Sequence, residues 1–224
     1  IKLTGMNRIL IINSVVVLLL LVSCAPYNEP VKERLKHLLE KETLAMGKLA
    51  LSSQPVSITE FVCERSAGNA NEFYSEGDYW WPDPQNPEGP YIRRDGETNP
   101  DNFVAHRHAM IRMSRVVAEL TSAFLISGNE DYARHALRHL YAWFVDPATR
   151  MRPHLLYAQA IKGRVTGRGI GIIDTIHLIE VAQSIIKLQE AEGIDDAALV
   201  PVVDWFAGYL EWLTTHPFGI DERE

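Results

Sequence analysis

Cysteine and positive charge are both scarce in this sequence of 224 residues. Only two cysteines occur, Cys24 and Cys63, so the chain has no disulfide framework. The formal net charge is −7, which argues against generic nucleic-acid binding as the function. The sequence therefore predicts a fold that relies on an apolar core, and it predicts no nucleic acid as partner.

The glycine-rich stretch around Gly167, Gly169 and Gly171 lacks the features of a nucleotide-binding loop. The dinucleotide pattern needs a further glycine at position 172 or 174, and these positions hold Ile172 and Asp174. No Gly-Lys-Ser/Thr sequence occurs either. We therefore interpret these glycines as a means for the backbone to approach another backbone or a ligand closely.

Metal-binding spacing is also missing. His135 and His139 are four residues apart on one predicted helix face, but the zinc metalloprotease pattern requires glutamate at position 136, which is Ala136. His106 and His108 would point away from each other on a helix. The sequence thus predicts neither a metal site nor any other cofactor.

No stretch of the sequence shows a persuasive alternation of apolar and polar residues, the pattern of a β-strand. Apolar residues at helical spacing occur instead in five segments, at residues 30–51, 100–128, 129–146, 173–193 and 195–216. Short turns and long, decorated loops alternate between these segments. This arrangement predicts an all-α fold of helix hairpins, with the long loops gathered on one face to form a cleft.

One long apolar run, from Ile9 to Val22, lies near the beginning of the sequence. It is shorter than the roughly 20 residues that a membrane-spanning helix needs. The basic residues Lys2 and Arg8 precede it, and small residues follow it. This order is typical of a secretory signal peptide, and a buried N-terminal helix is the alternative.

The apolar run ends in Leu21-Val22-Ser23-Cys24, which resembles a bacterial lipoprotein processing site. We therefore predict a lipoprotein signal peptide over residues 1–23 and a lipid anchor on Cys24. Residues 24–224 would then form the mature domain. The expected location is the periplasm or cell envelope, with the protein anchored to the membrane.

The connection from Arg152 to Asp174 is unusual in composition. It carries four glycines, three arginines, a histidine, a tyrosine and a glutamine, together with several aliphatic residues. A long loop inside a compact domain is usually either functional or disordered, and the aliphatic residues argue against disorder. We interpret this stretch as an ordered loop that presents polar groups into a cleft.

Two groups of motifs stand out for their spacing. The first is Tyr157-Ala158-Gln159-Ala160-Ile161 followed by Gly167-Arg168-Gly169-Ile170-Gly171-Ile172-Ile173-Asp174. The second is Gly77-Asp78-Tyr79-Trp80-Trp81-Pro82-Asp83-Pro84 with Gly89-Pro90-Tyr91-Ile92-Arg93-Arg94-Asp95-Gly96. Several spaced motifs are more specific than one short pattern. Together these motifs resemble the alginate lyase family of bacterial polysaccharide lyases, with the resemblance extending over residues 55–219.

The resemblance implies an incomplete (α/α) toroid, of which this sequence holds the N-terminal part. It also implies a lyase that cleaves an acidic uronate polymer such as alginate by β-elimination. In the family an Asn-His pair, an arginine and a tyrosine carry out the chemistry. The pair follows the segment that resembles His216-Pro217-Phe218-Gly219, and this sequence contains no Asn-His dipeptide. The catalytic residues are therefore expected beyond Glu224, and residues 24–224 alone are expected to be inactive.

Substrate-binding residues are expected in the loops. Between Tyr91 and Arg168 the sequence has eleven arginines and one lysine against seven acids, a local balance of +5. Because arginine binds carboxylates through two parallel hydrogen bonds, an acidic polysaccharide is a suitable partner for this region. Aromatic faces cover the apolar side of a sugar ring, and the resemblance favours Gln159 as a substrate contact. The predicted substrate-binding residues are Tyr79, Trp80, Arg93, Arg94, His154, Gln159, Arg164 and Arg168.

Two other functions are alternatives. A glycoside hydrolase on a similar helical toroid would need two opposed carboxylates, for which Asp78 and Asp174 are the candidates on suitable loops. A non-catalytic glycan-binding lipoprotein would use the same loops without performing chemistry.

Overall fold

The computed structural model describes residues 29–223, and the fold is mostly α-helical, as predicted. The predicted signal peptide and the predicted lipidation site Cys24 lie outside the described residues. The described residues fall into two units that divide between Glu42 and Thr43. Helix α1 (Glu29–Ala50) begins in the first unit and ends in the second, which contains all later elements.

The end of helix α1 does not bury the apolar residues that its sequence pattern predicts. Met46 and Leu49 are exposed, whereas Gly47 and Ala50 are buried. A Cβ atom on Gly47 would lie only 2.3 Å from the Cβ of Ala123, so the two backbones approach closely. The predicted apolar stripe is wrong at this end because close approach, which requires small residues, decides which face is buried.

Helices α2 (Ala105–Ser127) and α3 (Glu130–Phe144) form a hairpin, and the predicted boundary at Gly128-Asn129 is confirmed. Gly128 adopts a left-handed φ of 68°, and its N–H donates to the carbonyl of Phe124. Asn129 caps α3 by accepting a hydrogen bond from the N–H of Asp131. The apolar faces of the hairpin contribute to the core through Met110, Met113, Val117, Leu120, Ala136, Leu140 and Phe144.

Helices α4 (Leu178–Gln189), α5 (Val200–Thr215) and α6 (Pro217–Asp221) complete the described helices. The ring centroids of Phe144 and Trp205 lie 4.6 Å apart, which packs α5 against α3. The indole N–H of Trp205 donates to the carbonyl of Met151 at 2.6 Å. This bond ties the beginning of the 152–174 connection to the helical core.

The sequence predicts the fourth helix from Ile173, but α4 begins only at Leu178. Residues Gly169–Thr175 instead form a 3₁₀ helix. Ile173, Ile176 and Ile179 are exposed, so the predicted apolar face of this region is only partly buried. Among the described residues no single helix is both long and apolar enough to cross a membrane. The 3₁₀ helix and α4 meet that length and composition only as a pair, bent by 49°.

Four short strands show that the expectation of no strands is wrong. Strand β1 (Tyr74–Glu76) pairs in parallel with β4 (Tyr157–Ala160). Strand β2 (Trp80–Trp81) pairs antiparallel with β3 (Ile92–Arg93). Strands of two to four residues are too short to show the alternation by which a strand is recognised in a sequence. They bring the two motif-rich regions of the sequence side by side.

Two histidines of α3 share one backbone acceptor. The Nε2 atoms of His135 and His139 lie 2.7 and 3.3 Å from the carbonyl oxygen of Ser53. Both side chains are buried, and the Ser53 carbonyl engages one ring nitrogen, Nε2, of each. Within residues 29–223 no group of three histidine, cysteine, aspartate or glutamate side chains is arranged to hold a metal ion.

The buried ring of His139 should make the fold sensitive to acid. Burial, and then the neighbouring His135, lowers the pKa of His139 from 6.5 to about 4. The unfolded chain therefore takes up a proton in this pH window that the folded chain does not. The stabilisation is complete above pH 6.5 and is lost as the pH falls towards 4, by an amount on the order of 3 kcal/mol.

Urea denaturation of the parent and of His139→Gln, measured between about pH 7 and pH 4.5, tests this expectation. The parent should lose stability as the pH falls, and the variant should lose less. His106 and His154, whose pKa values are also lowered by burial, remain in both proteins, so the difference isolates His139. Equal pH dependence in the two proteins would contradict the assignment.

Candidate functional site

The site is built around an irregularity in the parallel pair of β1 and β4. The register shifts between Tyr74 and Glu76, so β4 carries one more residue than β1 at this point. Gln159 has a φ of 55°, the only positive φ of a non-glycine residue in the described chain. Its backbone N–H donates to the hydroxyl of Ser75 at 2.8 Å. The bulge turns the Gln159 side chain out of the regular strand pattern.

Three more hydrogen bonds involve the side-chain amide and the backbone carbonyl of Gln159. Its Nε2 donates to Oδ1 of Asp174 at 3.2 Å. Its Oε1 accepts from Nη2 of Arg168 at 3.1 Å, and its carbonyl oxygen accepts from Nε of Arg168 at 2.8 Å. Only 7% of Gln159 is exposed, so the residue is held firmly at the wall of a cleft.

Asp174 lies behind Gln159 and is buried at the end of the 3₁₀ helix. Its Oδ2 accepts a hydrogen bond from the hydroxyl of Ser75. Its Oδ1 lies 3.1 Å from Nε of Arg107, whose N–H does not point directly at the oxygen, so this contact is chiefly electrostatic. Arg107 also donates through Nη1 to Asp78 at 3.0 Å. One guanidinium thus links two carboxylates.

Arg168 differs from the other charged residues of this cluster because it has no carboxylate partner. Its two hydrogen bonds go to neutral oxygen atoms of Gln159. Among residues 29–223 no carboxylate oxygen lies within 4.0 Å of its nitrogen atoms. Burial, followed by the charge of Arg93, lowers the pKa of Arg168, although an arginine stays protonated at neutral pH. Arg168 is thus a partly buried guanidinium with no carboxylate in direct contact, although the charges of Asp174 and Asp78 act on it from a greater distance.

Arg168 and Gln159 line a small cleft of about 240 Å³. The cleft combines aromatic, cationic and amide groups, and it is lined by Asp78, Tyr79, Trp80, Arg93, Gln159, Arg168 and Ile170. This set includes five of the eight predicted substrate-binding residues. Tyr79 is exposed at 42%, so its ring is available for stacking. Aromatic faces beside a cationic wall suit a sugar ring that carries a carboxylate.

Arg164 lies next to this cleft rather than in it. Its guanidinium carbon is 5.2 Å from the centre of the Trp80 ring, and its Nε donates to the carbonyl of Tyr91 at 2.6 Å. It lines a neighbouring open cavity of about 750 Å³. Arg164 therefore supports one face of Trp80 and contributes positive charge beside the cleft.

Besides Arg164, two more of the eight predicted binding residues, Arg94 and His154, do not line the cleft. Arg94 stacks 4.9 Å from the ring centre of Trp81, and Trp81 itself donates to the carbonyl of Glu97 at 2.8 Å. His154 lies with its Nε2 3.4 Å from Oε1 of Glu72, and burial lowers its pKa. Both residues lie close to the family motifs in the sequence, but their side chains point to other partners and not into the cleft.

Ser75 and Arg107 are central to the cluster but were not predicted. Ser75 lies on a strand that is too short to recognise, and it is fully buried. Arg107 lies on α2, where an arginine is ordinarily expected on a solvated face. In the packed structure Arg107 instead faces Asp78 and Asp174, which the sequence pattern of α2 does not reveal.

Comparison with known proteins identifies the family of the chain. A family model described as alginate lyase matches residues 57–224. The chain belongs to the alginate lyase family. A solved alginate lyase from Bacteroides ovatus is 34% identical to the chain, with a TM-score of 0.73, over 82% of this chain and 49% of that one. The chain thus spans about half the length of that solved lyase. No curated protein matches the chain.

The motifs that resemble the alginate lyase family meet in the structure through their glycines. A Cβ on Gly167 would lie 1.9 Å from the carbonyl oxygen of Leu156. A Cβ on Gly171 would lie 2.5 Å from the Cβ of Ala158 and 3.0 Å from its carbonyl oxygen. These two glycines therefore serve close approach between backbones, which holds the 3₁₀ helix against β4. The sequence left open whether these glycines allow close approach to another backbone or to a ligand, and for Gly167 and Gly171 it is another backbone.

Gly171→Ala should destabilise the alginate lyase-family fold by pushing the 3₁₀ helix away from β4. We expect a loss of about 1–3 kcal/mol in the free energy of unfolding, typical of overpacking. Gly208→Ala is the matched control. Gly208 lies in α5, and a Cβ atom there would lie 3.6 Å from Cγ of Pro153, an ordinary van der Waals distance. Urea denaturation of both variants tests this, and an equally stable Gly171→Ala protein would show that the contact is not tight.

Proposed function

We propose that this protein is a polysaccharide lyase that acts on an acidic uronate polymer such as alginate, and that the cleft around Arg168 binds a uronate carboxylate. The observation that carries the proposal is the Arg168 guanidinium, which is partly buried and has no carboxylate partner among the described residues. Binding a substrate carboxylate would supply the missing counter-charge through strong, directional hydrogen bonds.

Each part of the cleft has a role in this proposal. Arg168 receives the carboxylate, and Arg93, which is paired with the exposed Asp95 at 2.9 Å, lies on the same wall. Tyr79 and Trp80 pack against the apolar face of a sugar ring. In β-elimination a base removes the proton next to the carboxylate, the bond to the leaving oxygen breaks, a carbon–carbon double bond forms and an acid protonates that oxygen. A cation at the carboxylate stabilises the negative charge that develops during proton removal.

The groups that move the protons are proposed to lie outside residues 1–224, as the family resemblance implies. No Asn-His dipeptide occurs in this sequence, and the chain corresponds to about half of the solved lyase, 49% of its length. We further propose that the described helix hairpins are part of an (α/α) toroid and that residues 24–224 alone bind the polymer without cleaving it.

The glycoside hydrolase alternative is less consistent with the side-chain positions. Inverting and retaining hydrolases both need two carboxyl groups that face the substrate from opposite sides. Asp78 and Asp174 are joined through the same Arg107, and Asp174 is only 5% exposed. A buried carboxylate that already accepts bonds from Ser75 and Gln159 is poorly placed to reach a sugar.

One experiment separates the three functions. The whole protein, including the proposed catalytic part outside residues 1–224, is incubated with alginate, and two signals are followed: the near-ultraviolet absorbance of unsaturated product and the number of new reducing ends. A lyase raises both signals together. A hydrolase produces reducing ends without the absorbance, and a binding protein produces neither, so either of these results would contradict the proposal.

Arg168→Lys should weaken catalysis although it keeps the positive charge, because lysine lacks the planar set of donors that bonds Gln159 and the substrate together. We expect kcat/KM for alginate to fall by roughly ten- to a hundredfold. Arg134→Lys is the control, because Arg134 is an exposed arginine paired with Glu130 and Asp131. If both variants match the parent, Arg168 does not bind the substrate.

We also propose that the protein is a membrane-anchored lipoprotein of the periplasm or cell envelope, on the support of Leu21-Val22-Ser23-Cys24. Acyl chains anchor a protein through roughly 0.8 kcal/mol for each buried CH₂ group. Cys24→Ala should therefore move the protein from the membrane fraction to the soluble fraction. Cys63→Ala is the matched control and should fractionate like the parent. A Cys24→Ala protein that stays with the membranes would contradict the anchor.

A further inference from the structure

We propose that Asp174 is a positioning residue for the anion site: its carboxylate holds the Gln159 amide in the one orientation that aims the Arg168 guanidinium into the cleft. The inference rests on the proposed function, because it concerns how the same cleft binds a uronate carboxylate. Asp174 itself lines neither the cleft nor the neighbouring cavity. It acts on the site through Gln159.

The orientation of the Gln159 amide follows from the chemistry of its two neighbours. A carboxylate accepts hydrogen bonds, and a guanidinium only donates them. Nε2 of Gln159 therefore faces Asp174, and Oε1 faces Arg168. A reversed amide would set oxygen against oxygen at one end and N–H against N–H at the other. Asp174 thus excludes the reversed amide and keeps an acceptor in front of Arg168.

Asp174 is suited to this role because it is itself held in place. The Ser75 hydroxyl donates to Oδ2 of Asp174 and accepts from the backbone N–H of Gln159. One buried hydroxyl therefore fixes both the carboxylate and the strained backbone of Gln159. Arg107 supplies the counter-charge 3.1 Å away, on a helix that also belongs to the core.

The indirect connection leaves Arg168 available to a ligand. A direct ion pair with Asp174 would occupy the guanidinium and would compete with a substrate carboxylate. With an amide between them, Arg168 uses Nε and Nη2 on Gln159, and its Nη1 finds no acceptor among the described residues. Burial and Arg93 lower the pKa of Arg168, whereas the charge of Asp174 raises it, so the buried carboxylate also supports the cation.

A double-mutant cycle in the whole protein, with the proposed catalytic part outside residues 1–224 included, tests the connection. Asp174→Asn keeps the shape of the side chain but removes the charge and adds a donor that permits the reversed amide. It is made in the parent and in the Arg168→Ala background, and kcat and KM for alginate are measured for all four proteins. Asp204→Asn, on an exposed part of α5, is the control for loss of one negative charge.

If Asp174 acts through Arg168, Asp174→Asn should raise KM by roughly tenfold or more in the parent and by less than about twofold when Arg168 is already absent. Asp204→Asn should leave KM within about twofold. A residue that only stabilises the fold would lower the melting temperature and would change KM by the same factor in both backgrounds. Equal factors in both backgrounds would therefore overturn the inference.

A second variant covers the case in which Asp174→Asn does not fold. Gln159→Met removes the amide from between Asp174 and Arg168 but leaves both charged residues in place. Gln159→Met should raise KM in the parent and change it much less in the Arg168→Ala background. A KM like that of the parent would also overturn the inference. Failure of the proposed function looks different, because the parent itself would then produce no unsaturated product from alginate.

Discussion

The ion pair between Asp174 and Arg107 is the interaction on which the rest of the site depends. A buried carboxylate is costly unless it is paired and hydrogen-bonded, and Asp174 meets both conditions through Arg107 and Ser75. The pair joins the 3₁₀ helix to α2, so the position of the carboxylate is set by the helical core. Removing one partner of such a pair is destabilising, because it leaves an uncompensated buried charge.

The strained backbone of Gln159 is the second constraint on the site. A left-handed conformation in a residue other than glycine costs of order 1–3 kcal/mol. The hydrogen bonds that Gln159 donates to Ser75 and Asp174 and accepts from Arg168 each contribute about 1 kcal/mol, more where a charged group takes part. Together they offset the strain, and the bulge in β4 becomes a stable feature that carries one side chain to the wall of the cleft.

The distribution of charge explains how an acidic protein offers a site for an acidic polymer. The whole chain carries a formal charge of −7, but the cleft wall presents Arg93 and Arg168, with Arg164 beside them. Asp174 is shielded from this wall by the Gln159 amide, and Asp78 is paired with Arg107. Local geometry, not net charge, therefore decides what the cleft attracts.

Several features were recognisable in the sequence because they depend on local chemistry. The Gly128-Asn129 boundary is visible since a left-handed cap and a side-chain cap each favour particular residues. The mostly helical fold and the family membership follow from apolar spacing and from several joined motifs. The motifs also indicated Gln159 and Arg168 as site residues. Which atoms of the amide and the guanidinium bond to each other could not be read from the sequence.

Other features were decided only by the tertiary structure. Ser75 and Arg107 meet Asp174 across separations of 99 and 67 residues, and no local pattern encodes such a meeting. His154 and Arg94 belong to the same motif-rich regions as Gln159, yet their side chains turn to Glu72 and Trp81. The sequence by itself determined which segments are helical and which family the chain belongs to. The packing of a buried charge decided which polar side chains form the site, because its compensation requires partners from elements that are distant in the chain.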